Sequence, residues 1–320
     1  MNNFFANILT LPLLLAFFLI LKRMGVLKKD WSKPLSFIGF NIGLTSLIFL
    51  AFVRSPITKN DLLNPLIGFL FSFTLFIAGL AVLKFLNISK EHRPIFVSSL
   101  VTLEGGSIGY PFFIAIFGAQ NLSQIALLDL GTAVFAFTVL TFYFYQTANQ
   151  IGKKFGDQFV EILKIPLLWA MVAGLVLNLL GMKLDSGNTL EGVLLKFLEN
   201  ISGIAVPLIL AGLVLNLEIK MDSIKNTLFF SIGSIAIAVI LAIIWSLVWK
   251  IIPLSPFAKG ALFIMALLPP SLYPFVLAEG LNLSEHQKNY TARLFSVTVF
   301  VSILLLIIIS PFIPKLITLW

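Results

Sequence analysis

Leu103-Glu104-Gly105-Gly106-Ser107-Ile108-Gly109-Tyr110-Pro111-Phe112 lies inside an apolar run that ends near Gly118. Its last three residues return 163 positions later as Tyr273-Pro274-Phe275, just after Leu267-Leu268-Pro269-Pro270-Ser271. A tripeptide match alone would be chance in a chain of 320 residues, but the same shift lays the first five apolar segments over the last five. Both copies are broken: two adjacent glycines weaken a helix, and each proline removes a backbone donor. Lipid cannot hydrogen-bond the groups so freed, so a break at membrane depth survives only against protein or a wet cavity. Paired, interrupted apolar segments in two repeats point to the binding site of a transporter.

Working outward, the chain holds 59% hydrophobic and 11% charged residues, with mean hydropathy +1.03. Soluble domains carry about 25% charged residues, so this composition reads as an all-α polytopic membrane protein in the cell membrane. The apolar runs predict ten spans, roughly 3–21, 35–53, 65–86, 94–118, 122–147, 164–181, 197–217, 227–249, 258–279 and 289–314. The N-terminus lacks the basic region of a signal peptide, so the first run is expected to be a retained span. The domain reading is a first five-helix repeat over 1–147, a cytoplasmic linker over 148–163, and a second five-helix repeat over 164–320. Five spans is an odd number, so the second repeat enters the membrane inverted. With the N-terminus outside, fifteen Lys and Arg fall on the inner side and seven on the outer, which predicts both termini outside. The net charge of +8 follows from that loop bias and does not imply nucleic-acid binding.

The candidate site residues cluster at the two breaks. Glu104 lies about ten residues in from the inner end of the fourth span, and a carboxyl group there costs at least ~2.5–3.5 kcal/mol on insertion scales, so it should face the interior. Gly105, Gly106, Ser107 and Pro111 surround it, and Pro269, Pro270, Ser271 and Pro274 form the ninth-span counterpart, Gly106 being the repeat equivalent of Pro269. Half-helix N-termini meeting there would direct positive dipole ends at an anion. Asp129, in the fifth span, is either a coupling group or an acceptor joining helices. Asn41 and Thr45 are candidates for the same cavity, though small polar residues also simply join helices, and Pro207 marks a kink in the seventh span. Cysteines are absent, and neither His92 nor His286 has a metal-ligand partner at helical spacing, so no metal site or organic cofactor is expected.

Across essentially its whole length the chain resembles the auxin efflux carrier family, and more distantly the bile acid/sodium symporters. The stretches that carry the resemblance are EGGSIGYPFFIAIFG (104–118), DLGTAVFAFT (129–138), IAVPLILAGLVLNL (204–217) and LLPPSLYPFVLAE (267–279). The resemblance implies ten helices in an inverted five-plus-five repeat, fourth and ninth helices that cross at their prolines, a scaffold unit beside a mobile transport unit, and dimers among relatives. It also implies an organic anion, such as a dicarboxylate, as substrate. Many members have Asn where this chain has Glu104, and an ionised Glu would repel a carboxylate unless it carries a proton when the substrate is bound. The expected function is therefore secondary transport of a small organic solute by alternating access, with H⁺ or Na⁺ as a coupling ion. A channel-like pore and a non-transporting receptor remain the alternatives. An enzyme is not expected, because the chain has no HExxH or Ser-His arrangement and no phosphate-binding loop.

Overall fold

The computed structural model describes residues 2–55, 57–85, 88, 93–147, 163–182, 189–217, 224–248, 254–271 and 285–318. Among the described residues every regular element is helical. In chain order they are α1 (Asn2–Arg23), α2 (Lys29–Arg54), α3 (Lys59–Val82), α4 (Arg93–Phe117), α5 (Ala119–Phe144), α6 (Pro166–Leu179), α7 (Leu190–Asn216), α8 (Thr227–Leu247), α9 (Pro256–Ala266) and α10 (Leu294–Ile317). Seven of these, α2 to α5, α7, α8 and α10, are long and apolar enough to cross a membrane, and α6 and α9 are shorter apolar helices. The chain is thus a multi-pass membrane protein. The central stretch of the broken helix α4 is 78% buried, against 33–50% for the other six spans. Irregular backbone at membrane depth must be surrounded by protein or line a cavity, and α4 meets that demand.

The chain divides into two compact units, each drawing on both halves of the sequence. Unit 1 comprises Met1–Lys59, Gly106–Ala126 and Val160–Leu217; unit 2 comprises Asn60–Gly105, Leu127–Phe159 and Glu218–Trp320. The chain passes from unit 2 to unit 1 between Gly105 and Gly106, inside the interruption of α4.

In unit 1, α2 and α7 run antiparallel at backbone distance because small residues face each other. A Cβ added to Gly43 would lie 2.8 Å from the Ala205 Cα, and one on Gly39 would lie 2.8 Å from Ile209 Cγ1. Gly212 sits against Ser36, and the Ser32 hydroxyl donates to the Gly212 carbonyl at 3.0 Å. Close backbone approach of this kind is how membrane helices gain van der Waals packing when lipid supplies no hydrophobic drive. At the far end of the pair Arg54 meets Glu199 at 2.6 Å. Gly43→Leu is therefore expected to destabilise the protein by about 1–3 kcal/mol, since the obstacle is the Ala205 backbone and cannot rotate away. Thermal unfolding in detergent reads this, and a melt equal to wild type would refute the close contact.

Helix α7 is already helical at Thr189, ahead of the expected 197, and the kink expected at Pro207 is a full interruption at Gly203-Ile204. Pro207 offers no N–H to the Gly203 carbonyl and its ring crowds the same group, so the helix breaks four residues earlier. It restarts at Ala205, with the Leu208 amide donating to the Ile204 carbonyl at 3.1 Å.

In unit 2, α3 and α5 make a second glycine seam, Gly68 against the Leu128 carbonyl and Gly131 against the Pro65 carbonyl. The buried Phe135 ring packs edge-on or tilted against Phe69, Phe73 and Phe76, with centroids 5.3–6.2 Å apart. The Phe96 and Phe230 rings meet at 4.7 Å, and Ser231 and Thr298 share a buried hydrogen bond of 2.6 Å between α8 and α10.

Candidate functional site

Helix α9 starts at Ser255, whose side chain accepts from the Ala258 amide at 3.1 Å with Pro256 in the first turn, a strong N-terminal signal. It stops at Ala266 because Pro269 and Pro270 lack the donors that would continue it. The Leu267 and Leu268 amides instead close a tight last turn onto Ile264 and Met265, at 3.0 and 3.1 Å. Helix α4 is regular over Arg93–Val101. The Ser98 and Thr102 hydroxyls bond back to the Pro94 and Ser98 carbonyls at 2.6 and 2.8 Å, an arrangement that bends helices. After Thr102 the helical ladder ceases, and Gly105–Gly109 form a π-helical turn before Tyr110–Phe117 resumes as α-helix. The segment ends at Gly118, whose φ of 83° suits a residue without a side chain.

The two interruptions satisfy each other. The Glu104 amide donates to the Pro269 carbonyl at 2.9 Å, and the Ser271 amide donates to the Thr102 carbonyl at 3.1 Å. This is the bonding pattern of an antiparallel strand pair centred on Leu103 and Pro270. The central residues of such a pair need donate nothing, so Pro270 fits without leaving an orphaned group. The sequence register equates Gly106 with Pro269, whereas the residue bonded to Pro269 is Glu104. Glu104 itself is 9% exposed, and Thr102, Pro269 and Pro270 are buried.

Asp129 completes this part of the site. A Cβ on Gly105 would stand 2.6 Å from Asp129 Oδ2 and 2.8 Å from Oδ1, so the carboxylate lies against the bare face of Gly105. The Thr132 hydroxyl, one turn along α5, donates to Asp129 Oδ1 at 3.0 Å and also to the Asp129 carbonyl at 2.9 Å. Glu104, Gly105, Asp129, Pro269, Pro270 and Ser271 therefore belong together in unit 2. Gly105→Ala should displace the Asp129 carboxylate without unfolding the protein, because the obstacle is a side-chain end. The activity that the site carries should fall by up to on the order of 100-fold, as positional errors of about 1 Å do elsewhere, with the melting temperature unchanged. Wild-type activity of this variant would show that the Asp129–Gly105 contact carries no function.

The remaining described candidates belong to unit 1. The Phe40 ring covers Gly106, where a Cβ would meet Cε1 at 2.6 Å; Ser107 and Pro111 are buried. Phe40 lies in a π-helical turn of α2, Gly39–Leu44, which Asn41 and Thr45 serve locally. Asn41 Nδ2 donates to the Phe37 carbonyl and the Thr45 hydroxyl to the Phe40 carbonyl, both at 3.1 Å. Thr141 closes the π-helical turn Ala136–Leu140 of α5 in the same way, bonding Ala136 five residues back at 2.8 Å. Such turns are frequent at functional sites. Pro274, Glu279 and the linker residues 148–162 lie outside the described residues.

The helix ends that lead into the paired segments are the C-termini of Arg93–Val101 and Pro256–Ala266, which carry negative partial charge. The helical segment that leaves the break in α4 begins at Gly105, and residues 272–284 lie outside the described residues. Thr132 and the Thr102 carbonyl in unit 2, and Phe40 in unit 1, were not singled out from the sequence; of these only Thr132 had a signal, its helical i+3 spacing from Asp129. Among the described residues no cluster of His, Asp or Glu is placed to hold a metal ion.

No family model matches the chain. It is 31% identical over 225 residues to the uncharacterized transporter MJ1031 of Methanocaldococcus jannaschii, covering 66% of this chain and 67% of the relative. It is 29% identical over 220 residues to an uncharacterized transporter of Methanothermobacter thermautotrophicus, covering 66% and 68%.

Proposed function

The chain belongs to the family of these archaeal transporters, and from that premise we propose that it is a secondary transporter of a small organic solute working by alternating access. In this reading the ten helical segments are ten spans in an inverted five-plus-five arrangement, with both termini outside the cell. The observation that carries the reading is the pair of interrupted segments bonded backbone to backbone at Glu104–Pro269 and Thr102–Ser271, with the Asp129 carboxylate against Gly105. Discontinuous helices near the bilayer midplane are the common building material of transporter sites. Neither a channel nor a receptor needs two such breaks held together.

Glu104 acts as the proton-coupling carboxyl. Taking up a proton removes the charge that is costly at this depth and makes room for an anion. An organic anion as solute rests on the resemblance to auxin efflux carriers, and it requires that protonation because the neighbourhood is acidic. The test has two stages. A thermal-shift screen of the purified protein against organic acids, amino acids and amines, across pH and Na⁺, identifies a ligand by the rise in melting temperature that selective binding to the folded state produces. Reconstitution with that ligand should then give saturable counterflow. Unsaturable ion currents would overturn the carrier reading in favour of a pore.

A further inference from the structure

Helices α2 and α7 end in the same way. Each stops one residue before a C-cap in extended conformation, Ser55 (φ −71°, ψ 142°) and Leu217 (φ −68°, ψ 119°), without the left-handed glycine that commonly closes a helix. Val214 and Ser55 each accept one local amide, from Leu217 at 3.2 Å and Ile57 at 2.9 Å, and the carbonyls at such an end otherwise need outside donors. At α7 the donor is Lys22, in the last turn of α1: its Nζ donates to the carbonyls of Val214, Leu215 and Leu217 at 3.0, 3.1 and 2.7 Å. At α2 the donor is Asn178, near the end of α6: its Nδ2 donates to the carbonyls of Phe52, Val53 and Ser55 at 2.9, 3.2 and 2.7 Å. The three acceptors of one set each lie 162 residues from their counterparts in the other, one residue from the register of the sequence repeat. All of these residues belong to unit 1, and the chain leaves unit 1 for unit 2 between Lys59 and Asn60, between Ala126 and Leu127 inside α5, and between Leu217 and Glu218.

We infer that Lys22 and Asn178 are paired anchors that hold the last carbonyls of α7 and α2 to unit 1 at two of the three places where the chain departs for unit 2, the two that follow a helix end. The inference rests on the transporter reading for its purpose: with these two exits clasped, a change of conformation that reaches them in the working cycle is taken up beyond Ser55 and Leu217 and not by fraying of the helix ends. The clasps are unequal. An ammonium brings three hydrogens to three carbonyls and a positive charge to the negative end of a helix. An amide spreads two hydrogens over three acceptors. The α2 exit has a second tie, however, since the Ser55 hydroxyl donates to the Gln120 carbonyl at 2.6 Å and accepts from Ser123 at 2.8 Å.

Hydrogen exchange on the purified full-length protein, with no ligand added, tests the anchoring apart from any transport. Lys22→Met should speed amide exchange in 210–217 by about tenfold or more, with 48–55 unchanged, as expected when a local opening becomes easier. Asn178→Leu should act on 48–55 and by less, because Ser55 keeps its second tie. Lys22→Arg, which retains charge and donors, should restore slow exchange in 210–217. Unchanged exchange in 210–217 on loss of Lys22, or an equal rise across both units, overturns the inference. If Lys22→Met does not accumulate, Lys22→Gln is read by the same rule, with slow exchange counting against the anchor. A protein that gives no counterflow but shows the local exchange pattern would refute the transporter reading and leave the anchors standing.

Discussion

Glu104→Gln is expected to abolish accumulation driven by a pH gradient in proteoliposomes while leaving the protein folded and able to exchange its solute. Gln has the same shape as Glu, and the group that ties this residue to Pro269 is the backbone amide, which the substitution leaves in place. The variant thus resembles a permanently protonated carboxyl. It can be occupied and can cycle, but it can no longer take up a proton on one side and release it on the other. One proton per cycle supports about a tenfold accumulation per pH unit, since 1.36 kcal/mol corresponds to one pH unit. A wild-type gradient of that size should fall to no gradient in Glu104→Gln, with counterflow retained. Gradient-driven accumulation at the wild-type level would remove Glu104 from the coupling mechanism. Asp129→Asn provides a contrast, because Asp129 Oδ1 already accepts from the Thr132 hydroxyl at 3.0 Å. An amide oxygen can keep that bond, so pH coupling should persist if Glu104 alone carries the proton.

What could be read in the sequence is what local chemistry imposes. Proline has no donor wherever it stands, so the ends of α9 at Pro269-Pro270 and of the first part of α4 before Gly105-Gly106 were legible, as was the insertion cost of an acid at 104. The length and apolarity of the segments announced a multi-pass membrane protein, and seven helices meet that description on their own. Features that depend on which helices touch were not legible. Asp129 was a candidate without an address, because its place against Gly105 is set by how α5 packs and not by its neighbours in sequence. Asn41 and Thr45 carried the polarity expected of cavity residues, yet each bonds a carbonyl of its own helix, Phe37 and Phe40, a geometry that composition does not announce. Lys22 read as a loop charge on the inner side, and its bonds to the last carbonyls of α7 depend on the juxtaposition of residues nearly 200 apart.

Gly131→Ala is expected to cost about 3 kcal/mol or more, the upper end of the range for overpacking, although it adds a single methyl group. The Cβ would overlap the Pro65 carbonyl oxygen and stand 2.7 Å from the Phe69 amide nitrogen, and both obstacles are backbone. Gly68→Ala meets the Leu128 carbonyl in the same seam. Neither helix can relieve the overlap by a rotamer change, so α3 and α5 must separate along their length. At roughly 2–4 °C per kcal/mol for a unit of this size, the melting temperature should drop by roughly 6–12 °C. Once the helices have parted for one methyl group the second meets less resistance, so the double variant should lose clearly less than the sum of the two single losses. Gly233→Ala, in α8 with nothing within 4 Å of the added Cβ, is the control. It should be neutral or stabilise by up to about 1 kcal/mol through helix propensity. The helix that forms the seam also bears Asp129, between Leu128 and Gly131 in sequence, with its carboxylate against Gly105. Any Gly131→Ala protein that survives purification should therefore lose transport as Gly105→Ala does, though for a different reason: the first moves the helix that bears the carboxylate, the second moves the carboxylate alone. A wild-type melt for Gly131→Ala would mean that α3 and α5 do not meet at backbone distance, and the placement of Asp129 against Gly105 would lose its support.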